Sequence, residues 1–244
     1  MSGHSHARTV KHKKDLNAQK RSRIFSKVNR LITVAIRDGG PNIETNTKLR
    51  IAVDTARSFN MPKDNIEKVI KKNSGELTGE KLEEVFFEAY GPGGIAILIE
   101  GITDNKNRTL GEVKKTIKAF NGKMVGEGAI RWMFERKGCI TIILEKQTEA
   151  NQDKDSLELV VIEAGAEDVE WSDDSLYVYV AMEALEATKK ALEEKGVKVE
   201  ASNLEWKAKE DVEVDESQKA SCLKLFDALD DSADIQDTYS NLKE

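Results

Sequence analysis

The residues that could do chemistry in this sequence are lysines and arginines gathered at its amino-terminal end. Residues 1–37 contain ten basic residues against a single acidic one, Asp15, and so carry a net charge of +9. The ten are Arg8, Lys11, Lys13, Lys14, Lys20, Arg21, Arg23, Lys27, Arg30 and Arg37. Lysine and arginine neutralise nucleic-acid phosphates and release the counterions condensed on them, which gives affinity that is independent of base sequence. The pattern predicts binding to a phosphate backbone.

The rest of the chain has the opposite charge. Of the 38 basic and 44 acidic residues in the sequence, 28 basic and 43 acidic ones follow residue 37, so that this part has a net charge of −15. Salt screens charges that are more than about 8 Å apart, and a partner therefore responds to a local patch rather than to the total charge. A pI near 5.4 does not exclude nucleic acid as a partner.

A second and weaker basic cluster lies on a helix predicted for residues 108–120. Its members are Lys106, Arg108, Lys114, Lys115 and Lys118. We take Lys106 and Arg108 as candidate phosphate contacts, and the alternative is an ordinary solvated helix face. The glycine-rich stretch Gly91-Pro92-Gly93-Gly94 precedes a strand rather than a helix, which favours a tight hairpin turn over a phosphate-binding loop.

The sequence offers little for catalysis. All three histidines, His4, His6 and His12, lie in the polar N-terminal arm (residues 1–19), so the body of the protein has no histidine to act as a general base. Cys139 and Cys222 are far apart and form no CxxC pair, and we expect both to be reduced and buried. We therefore expect a protein that is not an enzyme, with no catalytic residues, no cofactor and no metal site.

Apolar periodicity predicts a helix over residues 20–37 that positions much of the basic segment. Its apolar residues recur at steps of three and four: Ile24, Phe25, Val28, Leu31, Ile32 and Ala35. The basic residues fall on the other face: Lys20, Arg23, Lys27, Arg30 and Arg37. This arrangement predicts one packed face and one exposed cationic ridge.

The remaining elements predict an α+β fold. Helices at residues 47–59 and 62–73 complete a small helical bundle, and the pattern then changes to strands. Between residues 79 and 136 we expect three strands around the helix at 108–120, over residues 85–90, 95–99 and 129–134. Residues 139–204 follow the order βαββαβ, which is the ferredoxin-like arrangement.

The C-terminal helix, predicted for residues 216–229, and the short segment 235–242 have no neighbours in sequence to pack against. We expect them to fold back and complete the middle domain. The predicted class is therefore an N-terminal helical bundle followed by two ferredoxin-like α/β domains, the third inserted in the second. The predicted domains are residues 1–78, residues 79–136 with 207–244, and residues 137–206.

Six short blocks give the sequence a resemblance to a known family. They are Gly3-His4-Ser5, Lys11-His12-Lys13-Lys14, Ile24-Phe25-Ser26-Lys27, Asn60-Met61-Pro62-Lys63-Asp64-Asn65-Ile66, Gly91-Pro92-Gly93-Gly94 and Thr103-Asp104-Asn105-Lys106-Asn107-Arg108-Thr109. Together, and in this order over nearly the whole chain, they closely resemble the signature blocks of the YebC family, which includes a mitochondrial translational activator of cytochrome c oxidase. After Gly-His-Ser, many members have Lys-Trp where this chain has His6-Ala7.

The resemblance implies three domains, no catalytic residues and no cofactor. It implies a DNA-binding transcriptional regulator, or alternatively a ribosome-associated factor that promotes translation, notably of proline-rich stretches. The expected partner is accordingly double-stranded DNA or ribosomal RNA, with the ribosome as a further candidate and no membrane. Because no apolar run approaches bilayer length and the N-terminus lacks an apolar signal stretch, we expect a cytoplasmic location, or the mitochondrial matrix if the protein is organellar.

Overall fold

A computed structural model describes residues 18–74 and 82–243, apart from the side chains of residues 18–20 and 150. The predicted contacts Arg8, Lys11, Lys13 and Lys14, and the side chain of Lys20, lie outside the described residues. The structure divides into two compact units, one formed by residues 135–206 and the other by the remaining described residues. None of the helices in the described ranges is long and apolar enough to cross a membrane.

Three helices form the N-terminal bundle. They are α1 (Ala18–Gly39), α2 (Thr47–Ser58) and α3 (Lys63–Asn73). The predicted apolar face of α1 is confirmed, since Val28, Ile32 and Ala35 are buried in one cluster with residues of α2 and α3. Asn46 caps α2 by accepting a hydrogen bond from the Leu49 amide at 3.0 Å, and its side-chain amide donates to the carbonyls that end α1.

A four-stranded sheet with two helices follows the bundle. Its elements are β1 (Glu83–Tyr90), β2 (Ala96–Thr103), α4 (Lys106–Ala119), β3 (Lys123–Val125), α7 (Glu216–Asp230) and β8 (Ile235–Ser240). The strand order is β3-β1-β2-β8. The C-terminal strand β8 pairs antiparallel with β2, and α7 packs its buried face into the same core as α4.

The hairpin predicted at the glycine-rich stretch is confirmed. Strands β1 and β2 pair antiparallel from Glu83 opposite Thr103 to Tyr90 opposite Ala96, and a short 3₁₀ turn at Pro92–Gly94 joins them. Gly93 has a φ of +71°, a conformation that glycine adopts without the cost a side chain would bring. The turn therefore serves the hairpin geometry.

One predicted strand in this unit is wrong. Residues 129–134 were expected to form a strand, but Arg131–Met133 is a 3₁₀ turn and the third strand is the short edge strand β3. The apolar residues responsible for the pattern do enter the core, since Ile130 is fully buried and Phe134 is 4% exposed. Ile130 does so from an irregular loop and Phe134 from the first position of strand β4 (Phe134–Ile143), an arrangement that periodicity alone cannot distinguish from one continuous strand.

Residues 135–206 form the second unit, with a second four-stranded sheet. Its elements are β4 (Phe134–Ile143), α5 (Lys154–Glu163), β5 (Asp168–Ser172), β6 (Ser175–Val180), α6 (Leu185–Glu194) and β7 (Ala201–Ala208). The strand order is β5-β6-β4-β7, which together with the βαββαβ order is the ferredoxin-like arrangement. The predicted fold class is confirmed: N-terminal helices precede two antiparallel sheets.

Candidate nucleic-acid interface

Much of the basic ridge of α1 pairs with acidic side chains of the protein, which differs from the exposed ridge expected from the sequence. Three of its side chains lie against aspartates at the end of α7 and just beyond it, although Arg23 remains 45% exposed. Arg23 pairs with Asp231, Lys27 with Asp230 and Arg30 with Asp234. Lys27 is only 8% exposed. The ridge is therefore largely a contact between the helical bundle and the first sheet.

The C-terminal end of α7 explains why cations collect there. The last carbonyl groups of a helix have no partner within it and carry the negative end of the helix dipole. The Lys27 ammonium binds at this end of the helix, where its Nζ donates to the Asp230 carbonyl oxygen at 2.9 Å and to the Asp230 carboxylate at 2.5 Å. Helix α1 thus supplies positive charge to a terminus that has no basic residue of its own in its last turn.

Asp234 is the centre of a polar network between α1 and the sheet. Its side chain is 6% exposed, and one carboxylate oxygen binds Arg30. The other oxygen accepts from Arg108 Nη2 at 2.8 Å, from Thr109 Oγ1 at 2.7 Å and from Thr103 Oγ1 at 3.0 Å. Arg30 also donates to the Ile102 carbonyl at 2.7 Å. Two predicted phosphate contacts, Arg30 and Arg108, therefore share one buried carboxylate.

The electrostatics of this network hold Asp234 in its charged form. Burial by itself raises the pKa of this carboxyl, but the hydrogen bonds that the two guanidinium groups and two hydroxyls donate lower it by more. The net pKa of Asp234 lies well below the ordinary value. Arg108 is correspondingly shifted to a higher pKa, mainly by its hydrogen bond to Asp234 and then by the one to Asp104.

The last basic residue of α1 is also engaged. Arg37 donates to the Leu82 carbonyl and forms an ion pair of 2.8 Å with Asp38. A small apolar cluster of Val34, Leu82 and Ile102 lies at the same junction. These contacts fix the orientation of α1, from whose first turn the arm extends.

Several basic side chains are exposed instead. Arg21 and Lys106 are the predicted contacts among them, and the lysines of α4 flank Lys106 along one helix. A further set on α3 was not singled out in the sequence: Lys68, Lys71 and Lys72. Its spacing of three and four residues, which places the three on one helix face, was the signal available. Within the described residues no carboxylate pairs with any of these exposed cations.

The described residues show no arrangement for nucleophilic or metal chemistry. Both cysteines are buried, as predicted, and neither forms a disulfide within the described residues. Burial raises the pKa of the Cys222 thiol to about 11, which leaves almost no thiolate at neutral pH. In residues 18–74 and 82–243 no three His, Cys, Asp or Glu side chains are grouped so as to hold a metal ion.

Known proteins match this chain over nearly its whole length. Residues 5–76 match the model of the TACO1/YebC protein N-terminal domain, and residues 82–242 match that of the TACO1/YebC second and third domain. A "probable transcriptional regulatory protein" from Fervidobacterium nodosum is 46% identical over 241 residues, 99% of this chain and 93% of the relative. One of the same name from Thermotoga maritima is 42% identical, covering 100% of this chain and 94% of the relative.

A solved structure shows the same fold. The crystal structure of a conserved hypothetical protein from Aquifex aeolicus superposes with a TM-score of 0.86 at 40% sequence identity. The match covers 96% of this chain and 95% of that protein. The two proteins therefore share both their backbone fold and much of their sequence over nearly the full length.

Proposed function

Because the chain belongs to the TACO1/YebC family, we propose that it is a nucleic-acid-binding regulator of gene expression, a DNA-binding transcriptional regulator that binds phosphates through its N-terminal arm and first helix. The names of the bacterial relatives support regulation of transcription. None of those names describes an enzyme, which agrees with a regulator that carries no catalytic residues and needs no cofactor.

The observation that carries the proposal is the segregation of charge. Residues 1–37 hold a net charge of +9 in a protein whose remaining residues total −15. A positive segment of this kind attracts a polyanion, while the acidic body is repelled by it. The binding of duplex phosphates would therefore be concentrated at the arm, the first turn of α1 and the exposed lysines near them.

The basic residues have two roles in this proposal. The phosphate contacts are made by the arm, by the first residues of α1 and by the exposed Lys106: Arg8, Lys11, Lys13, Lys14, Lys20, Arg21 and Lys106. Arg30, Arg37 and Arg108 orient α1 through the contacts described above. Arg23 and Lys27 have both roles in this proposal: they pair with Asp231 and Asp230 in the free protein and exchange these carboxylates for phosphates when nucleic acid binds.

Salt dependence tests the electrostatic part of the proposal. If about six phosphates are engaged, the logarithm of the affinity for duplex DNA should fall with the logarithm of the salt concentration at a slope near −5. The measurement is fluorescence anisotropy of a labelled duplex at several salt concentrations. A slope near zero would contradict phosphate binding by the arm.

The aspartates at the end of α7 should compete with nucleic acid. The double substitution Asp230→Asn, Asp231→Asn frees Lys27 and Arg23, and we expect it to raise the affinity for duplex DNA by up to about tenfold and to steepen the salt slope by about one to two. The matched control is Asp173→Asn, Asp174→Asn, which changes the net charge equally on an exposed turn. Equal effects of the two double variants would show that only net charge matters.

A second candidate function is a ribosome-associated translation factor whose arm binds ribosomal RNA. The exposed indole of Trp132 favours it, because RNA-binding proteins commonly stack aromatic side chains on unpaired bases. Sedimentation with ribosomes at moderate salt, compared with gel shifts on promoter DNA, separates the two candidates. Binding to ribosomes without binding to duplex DNA would replace the transcriptional proposal by this one, including a role at proline-rich stretches.

We further propose the domain boundaries given by the sequence: residues 1–78, residues 79–136 with 207–244, and residues 137–206. The family models, which meet between residues 76 and 82, support the first boundary. A cytoplasmic location is part of the same proposal, supported by the bacterial source of the relatives.

A further inference from the structure

The loop that follows β3, residues 126–133, exposes the indole of Trp132. This side chain is 67% exposed, more than any other large apolar side chain in the described residues. Its only polar atom is already used, because Nε1 donates to the Ala129 carbonyl at 3.0 Å. The indole is therefore fixed within its own loop and presents its aromatic face rather than a hydrogen-bond donor.

A buried carboxylate holds this loop in place. Glu88 on β1 is 2% exposed, and its carboxylate accepts hydrogen bonds from three backbone amides of the loop: Gly128 at 2.6 Å, Ile130 at 2.8 Å and Arg131 at 3.2 Å. Burying a carboxylate is costly unless donors of this kind satisfy it. The Glu88 carboxylate and these three amides thus form a cradle that ties the glycine-containing loop to strand β1.

Three further contacts complete the cradle. Ile130 anchors the loop from within the core, where it is fully buried. The Arg131 guanidinium lies 4.8 Å from the centre of the Phe86 ring, which fixes the residue before Trp132. On the other side, the Lys209 amide donates to the Met133 carbonyl at 2.9 Å, which brings an exposed lysine beside the loop.

The surroundings of the indole indicate what it could bind. The loop residues Gly126, Glu127, Gly128, Ala129 and Arg131 are all exposed, and none is a large apolar residue. A stable protein interface needs a contiguous apolar core within about 800 Å² per partner, which one isolated ring does not supply. Stacking of a single base needs only one aromatic face, and neighbouring cations can hold the adjoining phosphates.

We propose that Trp132 is a stacking platform for an unpaired nucleobase, held in position by Glu88. This inference deepens the proposed function and rests on it, since it assigns an unpaired strand to a protein proposed to bind nucleic acid. Duplex DNA would be held by the arm, and Trp132 would act only where bases are unpaired, as in a loop of RNA or an opened DNA strand.

The test compares Trp132→Ala and Trp132→Tyr with the wild type on labelled oligonucleotides of equal length. We expect the alanine variant to lose about 5- to 100-fold in affinity for single-stranded RNA and for single-stranded DNA, whereas the tyrosine variant, which keeps an aromatic ring, loses much less. Binding to a blunt duplex should change by less than about twofold, because that binding is sequence-independent and electrostatic. If the wild type binds single-stranded RNA more tightly than single-stranded DNA, or the reverse, the preferred strand is the one that supplies the unpaired base.

A second measurement reports on the ring itself. Subtracting the fluorescence spectrum of Trp132→Phe from that of the wild type gives the emission of Trp132. Stacking should make this emission weaker in the presence of saturating RNA than in its absence. The positioning role of Glu88 predicts that Glu88→Gln loses part of the single-strand affinity while duplex binding is kept. These readouts separate a change in the platform from a general loss of folding, which would weaken both kinds of binding.

The outcomes distinguish this inference from the proposed function. If Trp132→Ala binds single strands as the wild type does, or if its loss is the same on duplex, the platform is overturned and a protein contact becomes the better account of the exposed indole. If the platform variants behave as expected but neutralising the arm changes nothing, the arm proposal fails and the platform stands. If the wild type binds no single strand at all, the platform is wrong.

Discussion

Replacing Lys11, Lys13 and Lys14 by glutamine is expected to weaken binding to duplex DNA by about 100- to 1,000-fold at about 0.1 M salt. Each phosphate contact adds about 0.9 to the slope of log affinity against log salt. Relative to about 1 M salt, three contacts therefore raise the affinity at about 0.1 M salt by nearly three powers of ten, and this gain is lost with the three lysines. The salt slope should fall by about 2.7 for the same reason. Anisotropy titrations of one labelled duplex at several salt concentrations measure both quantities.

The control for this result removes the same charge from another part of the chain. Lys189, Lys190 and Lys195, on or beside α6 in the unit of residues 135–206, lie in the acidic part of the sequence. Their replacement by glutamine should change the affinity by less than about threefold, because the net charge alone has a small effect at a distance beyond the screening length. Equal losses from the two triple variants would show that the arm has no special role.

The contrast between the arm and α1 follows from packing. A helix with an apolar face and a basic face must bury the first. Here part of the second is paired as well, because α7 ends beside it and its terminal aspartates bind Arg23 and Lys27. Lys27 and Asp230 are separated by 203 positions in the sequence. No local pattern indicates that two such segments meet, so the basic ridge was predicted to be exposed when most of it pairs with the protein itself.

The elements that sequence reasoning recovered are those set by local periodicity. The three helices of the bundle, the hairpin at Gly91-Pro92-Gly93-Gly94 and the βαββαβ order of the second unit were all expected from apolar spacing and turn residues. The packed face of α1 was likewise predicted, since Val28, Ile32 and Ala35 are buried and the other three named residues are partly buried against the same cluster. Val34 and Ile36, which are also buried, were not predicted. Each of these features depends on residues within about ten positions of one another.

What sequence reasoning missed depends on longer-range contacts. Residues 129–134 were predicted to be a strand because Ile130 and Phe134 are apolar, but the loop backbone there donates to Glu88, about 40 positions away. Strand β3 is only three residues long and was not foreseen. Trp132 was not singled out either, since nothing in the sequence distinguishes an exposed tryptophan from a buried one.

Asp234→Asn is expected to lower the free energy of unfolding by about 2–3 kcal/mol at neutral pH. Removing one partner of a buried charge network leaves the other charges uncompensated, which costs about 3–5 kcal/mol when every member is buried. The estimate is reduced here because the Arg30 and Arg108 side chains are 22% and 44% exposed and water can solvate them in the variant. Urea denaturation followed by circular dichroism measures the difference.

The same substitution should make stability less dependent on acid. Because the folded pKa of Asp234 lies below its unfolded value of about 3.9, its contribution is fully present above about pH 5 and is lost as the pH falls through the folded pKa. The difference in the free energy of unfolding between the wild type and Asp234→Asn should therefore be smaller at about pH 2–3 than at neutral pH.

Asp231→Asn is the control for this result. The Asp231 and Arg23 side chains are 65% and 45% exposed, so we expect this substitution to change the free energy of unfolding by no more than about 0.5 kcal/mol at any pH. A wild type and Asp234→Asn of equal stability at neutral pH would show that α1 is held by its apolar contacts alone, and that the shared carboxylate does not position the helix from which the basic arm extends.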